Sequence, residues 1–177
     1  MIATMPTYQI YPVDKKNLDF WKEPVLAALE VIRKRTEGRY TAERIFESFR
    51  TKTPENFALW LVLEQDEADK GPLQRVVGLV TLDLWVDECN EPFTFISRVW
   101  GKPGVWERNL LQMVMPKIEE WATDKTPEGR KPRLMAMAGR TSRHSGGREH
   151  VAEVSERIGA RMGWTRKETI FEKELTL

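Results

Sequence analysis

The chain has 177 residues, 41% hydrophobic and 31% charged, with 28 basic against 27 acidic side chains and a formal net charge of +1. That length and balance describe one globular domain with a core of its own, and the even charge gives no argument for a nucleic-acid or membrane partner. The single cysteine excludes an intramolecular disulfide and a cysteine-based zinc site. No apolar run reaches membrane length, and the N-terminus lacks a basic stretch followed by an apolar one, so a cytoplasmic location is expected.

Residues 7–13 predict an opening strand that Pro12 restricts to an edge or a strand end. Asp14 offers a helix cap, and Leu18, Trp21, Val25, Leu29 and Ile32 follow helical spacing. Pro24 either starts that helix in its first turn or kinks it. Gly38 ends the segment. Thr41 caps a short second helix carrying Ile45, Phe46 and Phe49. Residues 57–63 are densely apolar and predict a buried strand. Residues 65–74 are polar, with Gly71-Pro72, and predict an exposed hairpin loop. Residues 76–85 form a further strand. An acidic loop follows, with Asp87, Glu88 and Glu91 around Cys89, which reads as inert.

The strongest functional signal lies in residues 92–121. Phe93, Phe95, Ile96, Val99 and Trp100 make a run of strand length. Gly101-Lys102-Pro103-Gly104 breaks it. Trp106, Leu110, Met113, Val114, Ile118 and Trp121 then recur at helical spacing, and Pro116 predicts an interruption or bend in that helix. A strand feeding through glycines into a helix N-terminus can hold an anion, because the first N–H groups of the helix lack internal partners and the dipole favours negative charge there. Lys102 adds a full positive charge. A tight turn with no ligand is the competing reading.

Residues 123–132 predict a surface loop and 133–138 a strand. The strands at Phe93 and Arg133 should be parallel neighbours, because the helix between them is a crossover connection. Arg140, Arg143, His144 and Arg148 make a basic loop suited to a phosphate or an acidic partner. Val151, Val154, Ile158 and Met162 define a last helix that stops at Gly163, and residues 164–175 a final strand. His144 and His150 have no ligand partners at metal spacing, so no metal is implied.

The order β-α-α-β-β-β-α-β-α-β, with a glycine loop after the fourth strand, resembles the GCN5-related N-acetyltransferase (GNAT) family over nearly the whole chain. The tail is the best local match: a helix ending in Arg161-Met162-Gly163-Trp164, then Thr169-Ile170-Phe171-Glu172-Lys173-Glu174-Leu175. The sequence is also similar to small GNAT-like proteins carried by tailed bacteriophages, which would make the virion a second possible location. The resemblance implies an α+β fold, one domain over residues 1–177, with a mixed, mostly antiparallel sheet of about six strands and four helices. It implies acetyl-CoA as cofactor, an amine as acyl acceptor, and coenzyme binding at Arg98, Gly101, Lys102, Gly104 and Val105.

Several positions depart from the family pattern. Its loop reads Arg/Gln-x-x-Gly-x-Gly/Ala. Arg98-Val99-Trp100-Gly101 begins in that way, but Lys102-Pro103-Gly104 makes the glycine spacing one residue too long. Registering on Leu110-Leu111 instead puts Lys102, Val105 and Glu107 at the Arg, Gly and Gly positions. Gly159 stands where many members place a tyrosine general acid, and Ala152 near their frequent asparagine. Asp83, Asp87, Glu88 and Glu91 flank the region where a member holds a general base, and no catalytic residue is assigned among them. Two functions follow: an acyl-CoA-dependent N-acyltransferase, or a non-catalytic GNAT-fold protein acting through a protein partner.

Overall fold

A computed structural model describes residues 7–36, 38–65, 71–105 and 110–136, which fall within one compact unit, Met1–Met137. Nine elements follow in order: β1 (Tyr8–Val13), α1 (Lys22–Thr36), α2 (Ala42–Phe49), β2 (Phe57–Glu64), α3 (Pro72–Arg75), β3 (Val76–Val86), β4 (Pro92–Gly101), α4 (Leu110–Asp124) and β5 (Leu134–Ala136). The five strands form one sheet in the order β1-β2-β3-β4-β5. The first three pairings are antiparallel and β4–β5 is parallel. This is the expected α+β architecture, with the strands at Phe93 and Arg133 side by side and parallel across the α4 crossover. Five strands are described rather than about six. The expected sixth, residues 164–175, and the helix before it lie outside the described residues.

Pro12 sits where its missing N–H is harmless, since β1 is an edge strand with Pro12 opposite Trp60. β2 is apolar on both faces because both are covered. Leu59, Leu61 and Leu63 pack with Val25 and Leu29 of α1 and with Phe46 and Phe49 of α2. The alternate residues meet α4: the Lys117 ammonium stands 5.8 Å from the Trp60 ring centroid. Gly78 of β3 lets that helix approach. A Cβ there would lie 3.0 Å from Leu110 Cδ1 and 3.2 Å from Val62 Cβ, tighter than a side chain tolerates without a shift.

Local chemistry moves two boundaries. α1 begins at Lys22 rather than at Asp14, which places Pro24 in its first turn, where a missing N–H costs little. Asp14 instead caps the preceding turn, its Oδ1 accepting from Lys16 N at 2.8 Å and Asn17 N at 3.1 Å. Thr41 caps α2 as expected, accepting from Arg44 N at 3.2 Å. The polar stretch before β3 is not all loop: Gly71-Pro72 starts the single turn α3, with proline at its N-terminal end. α4 continues as one helix through Pro116, so of the expected interruption or bend, the interruption does not occur. Pro116 and Gln112, whose carbonyl loses its partner, are both exposed, so water can satisfy that carbonyl.

One irregularity lies mid-sheet. Thr81 pairs with Arg98 and Leu82 with Ile96, so Ser97 is the extra residue of a β-bulge in β4. Its hydroxyl donates to the Thr81 carbonyl at 3.2 Å and lies 2.8 Å from the Thr81 hydroxyl. The bulge lets Arg98 and Phe95 share a sheet face although they are three residues apart.

Candidate functional site

The glycine loop leaves the end of β4 and leads towards α4. Gly101 is buried and pairs with Gly78. Lys102 N donates to Val77 O at 2.8 Å, and Val105 N donates to Lys102 O at 3.1 Å. Pro103 has no N–H. Gly104 has φ +85°, and a Cβ placed there would meet nothing within 4 Å. That conformation favours glycine, and no partner of the Gly104 N–H is found among the described residues. The Lys102 ammonium is not poised over the loop: Nζ donates to the Gln74 carbonyl of α3 at 2.8 Å. Gly101, Lys102, Gly104 and Val105 are thus brought together, but with most of their polar groups satisfied internally. An apolar cleft of about 280 Å³ adjoins them, between Pro24, Ala27 and Val31 of α1 and Trp100 and Lys102 at the end of β4. Residues 106–109, including Trp106 and Glu107, lie outside the described residues.

Arg98 does not join the loop. Its neighbour two residues on, Trp100, packs against the α1–α2 core, so Arg98 faces the same side, away from α4. Asp83 shares that face, because it pairs with Phe57, which packs on the same core. Only 7% of Asp83 is exposed, and its Oδ1 accepts from Lys52 Nζ at 2.6 Å. Burial pushes the Arg98 guanidinium below its usual pKa, and the Asp83 charge partly offsets that. No hydrogen bond or ion pair joins Arg98 to another described residue.

The four carboxylates that the sequence leaves equivalent are therefore different in kind. Asp87 accepts from Arg133 Nη1 at 2.6 Å and from the N–H groups of Cys89 and Glu91, each at 2.9 Å. The Arg133 hydrogen bond is the main reason its carboxyl lies below the ordinary range. Glu91 pairs with Arg130. These two organise a turn in which Asn90 takes φ 57°, and Glu88 is exposed. Asp83 alone is buried beside the bulge. Spacing could not separate it from the others, although its place in an alternating strand set it apart from the loop carboxylates. Among the described residues no cluster of His, Cys, Asp or Glu could hold a metal, and no helix is long and apolar enough to cross a membrane. The basic loop with Arg140, Arg143, His144 and Arg148, as well as Ala152 and Gly159, lies outside the described residues.

No protein-family model and no curated protein matches the sequence. Solved structures do match. The aminoglycoside N-acetyltransferase AAC(6')-Iy in complex with CoA superposes over 100% of both chains with a TM-score of 0.62 at 13% identity. The fold is the GNAT acetyltransferase fold. An aminoglycoside acetyltransferase from an uncultured soil metagenomic sample, in complex with sisomicin, covers 96% of both chains with a TM-score of 0.62 at 12% identity. A Trypanosoma brucei acetyltransferase covers 96% of this chain and 100% of its own, with a TM-score of 0.61 at 14% identity. At these identities the likeness is one of fold.

Proposed function

We propose that the protein is an acyl-CoA-dependent N-acyltransferase, a single GNAT domain over residues 1–177 that transfers an acetyl group to an amine. The observation that carries this reading is the full-length match to a CoA-bound acetyltransferase, together with a loop whose Gly104 N–H has no partner among the described residues. Gly104 fits close approach of a phosphate, since no neighbour crowds its Cα. Gly101 and Val105 shape the loop on either side, and Lys102 adds charge at its base. Acetyl-CoA supplies the thioester when bound. The chain's residues hold the amine and thioester in attacking geometry. The amine nitrogen adds to the carbonyl carbon, the C–S bond breaks, sulfur leaves as the thiol, and the amine proton passes to it or to solvent.

A second reading, a non-catalytic GNAT-fold protein working through a protein partner in the cytoplasm or a virion, is favoured by one observation. Lys102 N, Lys102 Nζ and Val105 N are all spent within the protein. Calorimetry with coenzyme A separates the two. The acyltransferase reading expects saturable binding that Lys102→Glu abolishes, because a carboxylate would then face the pyrophosphate while the fold stays intact. No heat of binding at millimolar coenzyme A overturns it in favour of the second reading. Binding that Lys102→Glu leaves unchanged moves the coenzyme site elsewhere, with the Arg140–Arg148 loop the next place to test.

A further inference from the structure

The α1–α2 face of the β3–β4 ladder carries three charges that do not balance. Lys52 and Asp83 neutralise each other at 2.6 Å. Arg98 is then left as a half-buried guanidinium with a net positive charge and no hydrogen-bond acceptor among the described residues. A partly buried charge whose nearby anion is already hydrogen-bonded to a lysine is incompletely compensated, and a guanidinium presents a planar fork matched to a carboxylate. One step along the same face stand Trp85 and Phe95, ring centroids 4.8 Å apart, with Trp85 51% exposed. Phe95 is directly opposite Asp83 in the ladder. The face therefore offers an anion anchor beside an aromatic platform. The nearby carboxylates do not make it anionic, because Asp87 and Glu91 are matched by Arg133 and Arg130.

We propose that Arg98 anchors the carboxylate of the acyl acceptor, so that the acceptor is an amine that also carries a carboxylate, such as an amino acid or a peptide end. This rests on the acyltransferase reading. It also separates this chain from the aminoglycoside acetyltransferases among its structural neighbours, since aminoglycosides are polycations without a carboxylate. Arg98 then acts as a binding residue for the acceptor rather than for the coenzyme, and Asp83 holds Lys52 away from it.

The test is NMR of the arginine Nε–Hε signals of the full chain. The Arg98 signal is identified by its loss in Arg98→Lys and, independently, by backbone assignment through Ser97 and Val99, which suffices if that variant fails to fold. The probes are alanylphenylalanine, its C-terminal amide, and kanamycin as the carboxylate-free polycation. The dipeptide is expected to shift the Arg98 signal saturably, with the amide at least about tenfold weaker and kanamycin leaving the signal unmoved. Equal shifts from dipeptide and amide, or no movement of Arg98 with any carboxylate, overturn the proposal. Coenzyme A is titrated separately. Coenzyme binding without a carboxylate response leaves the acyltransferase reading standing and removes this one. A carboxylate response without coenzyme binding keeps the anion site but removes its role in acyl transfer.

Discussion

The two ends of β4 and its middle treat charge in opposite ways. At the Pro92 end the described arginines are matched: Arg133 by Asp87 and Arg130 by Glu91. At the Gly101 end the most conspicuous cation, Lys102, is matched too, by the Gln74 carbonyl. Between them, at the bulge, Arg98 has no such partner among the described residues. Both Lys102 and Arg98 read as phosphate ligands along the sequence, because a cation beside a glycine loop is all that spacing can show. Tertiary structure spends one of them on the scaffold and leaves the other mid-strand on the same α1-facing side of the sheet, without a hydrogen-bond partner among the described residues. A cation's value for binding depends on whether the fold has already satisfied it.

The largest effect should come from the middle of the strand. Asp83→Ala removes the anion between Lys52 and Arg98 and leaves two like charges on one half-buried face. The expected loss is about 2–3 kcal/mol, read as a lower urea midpoint with an unchanged slope. Adding Lys52→Met should restore part of it, since replacing both members of a buried pair costs less than orphaning one. A neutral Asp83→Ala would mean that solvent screens this face as fully as the Pro92 end, and the contrast between the regions would collapse.

The glycine loop is next. Gly104→Ala places a Cβ in open space but at φ +85°, so the cost is backbone strain alone, about 1–2 kcal/mol in thermal unfolding. Gly104→Asn should lose less, because asparagine tolerates the left-handed region better. If alanine costs nothing, the loop is free to change conformation, and its geometry says little about an anion.

Much of the fold was legible because each element announces itself locally. β2 is a solid apolar run, Thr41 caps α2, and Pro12 points to an edge. The parallel β4–β5 pair followed from connection length and handedness alone. α3 was missed because Pro72–Arg75 is one turn, too short for any periodicity. At Pro116 the sequence left interruption and bend both open, and only the interruption is removed by a helix that continues through it. The site was less legible than the fold. Lys102, Gly101, Gly104 and Val105 are contiguous, so sequence could group them. Arg98 was grouped with them for the same reason, but it lies within β4 at the bulge, opposite Thr81, rather than in the loop. The separation of Asp83 from Asp87, Glu88 and Glu91 needed Lys52, 31 residues away, and no pattern within the chain foretells that contact.

A smaller effect sharpens the contrast at Lys102. Because Nζ is committed to Gln74, Lys102→Met should lower stability by about 1 kcal/mol or less. It should weaken coenzyme A binding by less than about threefold, against the loss expected for Lys102→Glu, where repulsion rather than a missing contact does the damage. Calorimetry on the two variants together decides this. A Lys102→Met variant as defective as Lys102→Glu would show that the ammonium leaves Gln74 when ligand binds.

The smallest effect belongs to the Pro92 end, where the charges are paired but solvent reaches them. The Asp87 carboxyl lies below its ordinary value, chiefly through the Arg133 hydrogen bond. The unfolded chain therefore takes up this proton first as pH falls. The pair's contribution is present above about pH 3.9, the unfolded carboxylate value, and is lost as pH drops from there through the folded value. Asp19, Glu30 and Glu55 are shifted in the same direction by their own partners, so the whole acid limb cannot be assigned to one residue. The informative quantity is the difference between wild type and Arg133→Gln. At pH 7 the two should melt almost together, because an exposed ion pair contributes little. Between about pH 4 and pH 2 the wild type should lose stability more steeply and the gap should close. A gap that stays constant down to pH 2 would show that Arg133 works through its packing over the Phe93 ring, 5.8 Å from the centroid, and that Asp87 gains nothing from its partner.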